Sequence, residues 1–190
     1  IQNYEIGAKW DINPRINIST AIFQLDRSNT PADDPDGSGD TVLTGESRTR
    51  GFEFALTGKV TNKWQTIASY AFQDAVITSA TSNYAKGSKI NLVPHNTLAL
   101  WNKYSFTPKW AASLGIISQS AQYADASNSV RLKGFTRFDG AIFYKINPDY
   151  RIQLNAENLL NKEYIRTAHS TNNLMPGAPR SFTATLIANF

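Results

Sequence analysis

Cysteine is absent from the 190 residues, which excludes a disulfide scaffold, a thiolate metal site and a cysteine nucleophile. Long apolar runs are missing too. No stretch nears the ~18 uninterrupted apolar residues that a membrane-crossing helix needs, and the mean hydropathy is −0.36. That excludes a helical membrane protein but not a membrane barrel, whose alternating strands average out as polar. Histidine is scarce: His95 and His169 are the 2 present, without the close spacing of a metal pair. Charge of one sign is also in short supply. Lys and Arg number 19 against 15 Asp and Glu, a net +4 with pI ≈ 9.3, too mild for a nucleic-acid partner. No Ser/His/Asp order or phosphate-cradling glycine loop stands out, so neither an enzyme nor a resident cofactor is expected. The chain opens on Ile1-Gln2-Asn3-Tyr4 with no basic or apolar leader, and reads as a mature product or a piece of something longer.

What is present is a period of two, almost throughout. Tyr4, Ile6, Ala8 and Trp10 alternate with Asn3, Glu5, Gly7 and Lys9. The same rhythm runs through Ile16–Ile22, Phe52–Leu56, Trp64–Phe72, Leu98–Phe106, Trp110–Ile116, Phe138–Ile146, Ile152–Ala156 and Phe182–Phe190. This predicts an all-β chain of about ten strands, each roughly ten residues long, the length that crosses a bilayer at a steep tilt. Tight turns fall at Asp11-Ile12-Asn13-Pro14, Thr61-Asn62-Lys63, Thr107-Pro108-Lys109 and Asn147-Pro148-Asp149. Between them lie long polar connections at 27–46, 78–95, 123–133 and 161–178. Strict alternation of short and long connections is what an outer-membrane barrel requires, with short periplasmic turns and long extracellular loops. A soluble β-sandwich has no reason to keep every second loop long.

Alternation reports two faces without saying which is wet, and two features decide it. Trp10, Trp64, Trp110, Phe106 and Tyr150 stand beside the short turns, all on the apolar face, as an interfacial aromatic girdle does. The opposite face carries Glu5, Lys9, Glu53, Lys59, Lys103, Arg137, Asp139, Lys145, Arg151 and Glu157. Such charges cost little in a hydrated lumen and a great deal in a packed core. The reading is therefore a transmembrane antiparallel β-barrel with even-numbered apolar residues facing lipid. The acidic stretch Asp33–Asp40 superficially suggests a calcium loop, but its frame puts Ala32 first and Leu43 twelfth, where a bidentate Glu belongs; it reads as an acidic surface loop.

Family resemblance becomes specific near the C-terminus. Glu157-Asn158-Leu159-Leu160-Asn161-Lys162-Glu163-Tyr164, followed by Pro176-Gly177-Ala178-Pro179-Arg180 and a terminal Phe190, resembles the closing part of TonB-dependent outer-membrane receptors. Arg48-Thr49-Arg50-Gly51-Phe52-Glu53, the run from Leu92 to Trp101, and Gly134-Phe135-Thr136-Arg137-Phe138-Asp139 are similar to further family elements in the family's order. The set looks most like the iron–siderophore branch, and within it the catecholate type. The resemblance implies that residues 1–190 are the C-terminal part of a twenty-two-stranded barrel, monomeric and seated in outer-membrane lipid and lipopolysaccharide. It further implies a plug domain and a TonB-contacting box elsewhere in the protein, energised by the TonB–ExbB–ExbD machinery, and ferric siderophore as cargo. Iron enters only as cargo. A passive diffusion porin, or the barrel anchor of a surface protein, is the alternative.

Ferric siderophores are commonly anionic, and catecholates add aryl rings; arginine forks, lysine charges and aromatic faces suit them. At the outer mouth or on the lumen side the candidates are His95, Trp101, Tyr123, Arg131, Lys133, Arg137, Arg166 and His169. Trp101 stands on the charged face, away from the girdle, and is a candidate stacking platform.

Overall fold

The computed structural model describes residues 1–33, 41–81 and 84–189. Thirteen strands follow in chain order: β1 (Gln2–Asn13), β2 (Ile16–Asp33), β3 (Thr41–Lys59), β4 (Trp64–Ser79), β5 (Asn96–Ser105), β6 (Trp110–Gln119), β7 (Gln122–Tyr123), β8 (Arg131–Leu132), β9 (Phe135–Lys145), β10 (Tyr150–Glu157), β11 (Ile165–Ser170), β12 (Asn173–Pro176) and β13 (Ser181–Ala188). Nine of them form one sheet in the order β1-β2-β3-β4-β5-β6-β9-β10-β13; β7–β8 and β11–β12 are separate two-stranded ribbons within the connections. Every pairing is antiparallel. The sheet is an open arc, with β1 and β13 at its two edges.

The sheet thus has nine strands rather than about ten, and they are less uniform than expected. β10 and β13 have 8 residues each, whereas β2 and β3 have 18 and 19. The connection expected at 27–46 is largely strand: Arg27 pairs with Ser47 and Asp33 with Thr41. The hairpin runs on past the apolar band. Most of the acidic stretch at 33–40, and Phe190, lie outside the described residues.

Each short turn is closed by one of its own Asn or Thr side chains. Asn13 Oδ1 accepts from the Arg15 amide, Thr61 Oγ1 from Lys63 and Trp64, Thr107 Oγ1 from Lys109 and Trp110, and Asn147 Oδ1 from Asp149 and Tyr150. Asn and Thr do this because a short polar side chain reaches a backbone N–H two or three residues on. The next strand consequently begins at a fixed place, and Trp64, Trp110 and Tyr150 begin three of them. Trp64 Nε1 donates to Asn102 Oδ1 at 2.9 Å, and the Trp110 and Tyr144 rings lie 4.4 Å apart.

Away from bulges near the strand ends, pairing joins even to even and odd to odd. One row runs Trp64–Tyr104–Ala112–Ile142–Leu154–Ala184; another runs Ile67–Trp101–Gly115–Asp139. All even side chains therefore share one face. Ile6, Leu114, Ile142, Leu154 and Leu186 on that face are exposed, while the buried apolar residues among those described are only Ala75, Ala124, Leu132, Ala141 and Ala168. A soluble sandwich buries its large apolar side chains; here they form the outer surface, as lipid contact demands. The odd face holds a hollow of ≈ 650 Å³ lined by Glu5, Lys9, Ser19, Glu53, Ser69 and Thr97 among others, a polar inner wall. Toward the long connections, Tyr4, Phe52 and Phe72 add a second exposed aromatic line on the even face. From Trp64 to Phe72 is about 26 Å along the strand, close to the height of a barrel's apolar band once tilt is allowed for.

Candidate functional site

Three of the long connections fold into a single body over one end of the sheet. Its nucleus is Ala124 from the β7–β8 connection, Leu132 of β8 and Ala168 of β11, with Leu92, Val130 and Ile165 packed against it. Polar clasps join the same segments. Asn128, at φ +59°, donates from Nδ2 to the Lys89 carbonyl at 2.8 Å and accepts the Lys89 amide on Oδ1 at 2.7 Å. The Leu92 amide donates to the Tyr123 carbonyl, and Gln122 Nε2 to the Arg166 carbonyl.

The stretch after β10 is organised by Asn158, which is 1% exposed. Its Nδ2 donates to the carbonyls of Lys162 and Ala178, its Oδ1 accepts the Lys162 amide, and its own amide donates to Asp139 Oδ1 at 2.7 Å. Asn158 and Asn161 have φ of +51° and +49°, a region asparagine tolerates better than most residues. That is a physical account of the two asparagines in the Asn158–Tyr164 run. Asn161 Oδ1 then accepts the Arg180 amide. Asp139 also accepts from Arg137 Nη2 at 2.7 Å, and Arg137 Nη1 donates to the Tyr164 hydroxyl. The Tyr164 ring stacks on Phe135 with centroids 4.0 Å apart and also lies against Gly177, where a Cβ would run into the ring. Phe135, Arg137 and Asp139 are odd-numbered, so the 158–164 segment leans over the inner face.

The eight expected site residues separate into several places. Arg131 and Lys133 share a cleft of ≈ 640 Å³ between the start of β9 and the β11–β12 ribbon. Tyr123 pairs with Arg131 across the small ribbon. Arg166 lies in a separate recess with Pro94, Gln119 and Gln122. His169 is exposed on β11. His95 stands at the start of β5, with Nδ1 3.0 Å from the Gln73 carbonyl and its ring stacked on Phe72. Trp101 is lower on the inner wall, against Gly115, where any Cβ would sit 2.7 Å from the indole. Beside it in register, Ile67 is 59% exposed, and Lys103 Nζ lies 4.1 Å over the Phe143 ring. Arg137 is committed to Asp139 and Tyr164, a spacing of two on one strand face that sequence shows directly.

Sequence reasoning passed over Lys162 and the apolar wall it shares with Arg131 and Lys133. Leu174, Pro176 and Pro179 line that same cleft, with Glu163 its one carboxylate. The cleft thus combines cations with an apolar lining.

Comparison with known proteins gives one family and a consistent set of relatives. A family model described as TonB dependent receptor-like, beta-barrel, matches residues 1–159. The probable TonB-dependent siderophore receptor PiuA of Acinetobacter baumannii is 29% identical over 201 residues, covering 100% of this chain and 26% of that protein. The metal-pseudopaline receptor CntO of Pseudomonas aeruginosa is 28% identical over 197 residues, covering 100% and 27%. The catecholate siderophore receptor Fiu of Escherichia coli is 27% identical over 193 residues, covering 98% and 25%. The crystal structure of PiuA superimposes with a TM-score of 0.89 at 28% identity, over 97% of this chain and 28% of that one. The chain thus spans about a quarter of the length of these relatives.

Proposed function

Because the chain belongs to the TonB-dependent receptor-like β-barrel family, we propose that the protein containing it imports ferric siderophores across the outer membrane, driven through TonB. Nine antiparallel strands with an apolar outer face, a polar inner wall and a packed loop body at one end are the part of such a receptor that meets lipid, lumen and cargo. The observation that carries the reading is the match of the whole chain to PiuA, described as a siderophore receptor, in both sequence and shape. The likeness to Fiu, a catecholate receptor, and the cationic cleft at the mouth support the catecholate type in particular.

The plug, the TonB box and the TonB–ExbB–ExbD contact belong, on this reading, to other parts of the protein. The test is uptake of ⁵⁵Fe-labelled siderophores by a strain stripped of its own receptors and expressing the full-length protein. Uptake that needs TonB and saturates is the expected result. Uptake independent of TonB and linear in concentration would instead make the protein a diffusion pore.

A further inference from the structure

We infer that the cleft between the start of β9 and the β11–β12 ribbon is a subsite for an aryl arm of an anionic ferric complex. This rests on the reading of the protein as a ferric-siderophore receptor, and assigns the recognition to residues that reading leaves open. Three cations, Arg131, Lys133 and Lys162, line the cleft against a single carboxylate, Glu163. All three cations are exposed, and none is ion-paired among the described residues. Unpaired cations converging on one concavity attract an anion without first having to give up a partner.

The same cleft is also lined by the apolar side chains of Leu132, Ile165, Leu174, Pro176 and Pro179. A compact, strongly hydrated anion such as phosphate gains nothing from that apolar lining. A flat ring with its charge spread over oxygens at one edge uses both kinds of lining, the ring against apolar side chains and the oxygens toward cations. At ≈ 640 Å³ the cleft is of ligand-site size, and a catecholate ring fills a portion of it.

The cleft is also held in shape. Tyr164 forms part of the wall, its ring stacked on Phe135 and lying against Gly177. Its hydroxyl is fixed by Arg137, and Arg137 in turn by Asp139. Leu132, at its back, belongs to the nucleus that binds the loops together. A preformed wall of this kind lowers the ordering cost of binding.

The test uses the purified full-length receptor in detergent and two probes: the tris complex of Fe(III) with 2,3-dihydroxybenzoate, which is strongly anionic, and an uncharged ferric trihydroxamate. Binding is read by tryptophan quenching at low and high salt. The expected result is saturable binding of the anionic complex, weakened roughly tenfold or more in K133Q/K162Q, with a shallower salt dependence. K133R/K162R should bind nearly as wild type, and Leu174→Trp, which fills the cleft, should lose binding without changing net charge. Heat-dependent gel mobility verifies that each variant is folded. Anionic-probe binding unchanged in both K133Q/K162Q and Leu174→Trp would overturn the subsite while leaving the receptor reading in place. Equal or better binding of the neutral probe, lost in the same variants, would overturn the aryl-anion assignment. A wild-type receptor that binds neither probe would overturn the subsite, and failed TonB-dependent uptake across a siderophore panel would take the receptor reading with it.

Discussion

Asn158 shows how much of this molecule hangs on single polar side chains. It has almost no surface, yet satisfies three backbone groups from a backbone conformation that most residues resist. Asn158→Ala should destabilise the folded barrel by about 2–4 kcal/mol, since each buried group left unpaired costs 1–3. Asn158→Gly relieves the φ but not the lost hydrogen bonds, and should remain clearly destabilised by heat-dependent gel mobility. Full stability of the glycine variant would mean that the backbone conformation alone mattered. At Gly115 the constraint is space. Gly115→Ala already pushes against the Trp101 indole and Gly115→Val pushes harder, so both should shift and broaden tryptophan emission relative to wild type, valine the more. Arg137 taught the converse lesson about legibility. A cation on an inner-facing strand invites a ligand role, but Asp139, two residues along on the same face, already answers it. That pairing was readable from spacing; the stack of Phe135, Tyr164 and Gly177 was not, because it joins residues that only the loop's folding brings together.

Strands are where physical chemistry wrote most plainly into the sequence. Within the bilayer one face must be apolar and the other wet, so the period of two is enforced, and every alternating segment proved to be a strand of the sheet. Above the bilayer both faces are wet, the alternation loses its cause, and β2 and β3 continue unannounced through Arg27 and Ser47. Two-residue ribbons such as β7–β8 carry no period at all. The face assignment makes a sharp prediction: nitroxide labels at 112, 114, 154 and 184 should report a water-poor environment, and labels at 113, 153 and 155 a wet one. Inverted accessibilities would reverse the inner and outer faces. Leu154→Arg should cost roughly 2–4 kcal/mol, and Gln153→Arg little, in a denaturant unfolding series. The short turns give a smaller effect. Thr107→Ala removes the acceptor for two amides and should destabilise by about 1–2 kcal/mol.

Taken whole, the nine-stranded arc is an incomplete wall. Its edges, β1 and β13, each leave a line of backbone groups facing outward, and in hydrocarbon every unpaired group costs several kcal/mol. Residues 1–190 expressed alone should therefore neither restore iron uptake nor bind ferric siderophore, and should aggregate on dilution from detergent; tight saturable binding by that segment would show that neighbouring strands are dispensable for order. The loop body carries a different consequence. Because the nucleus joins Ala124 and Leu132 of one connection to Ala168 of a second, with Leu92 of a third packed against them, those connections are not interchangeable parts. A recombination that swaps one connection therefore inherits a foreign part of the nucleus. On the proposed function, a change of cargo specificity made by loop exchange requires the whole set of connections to move together.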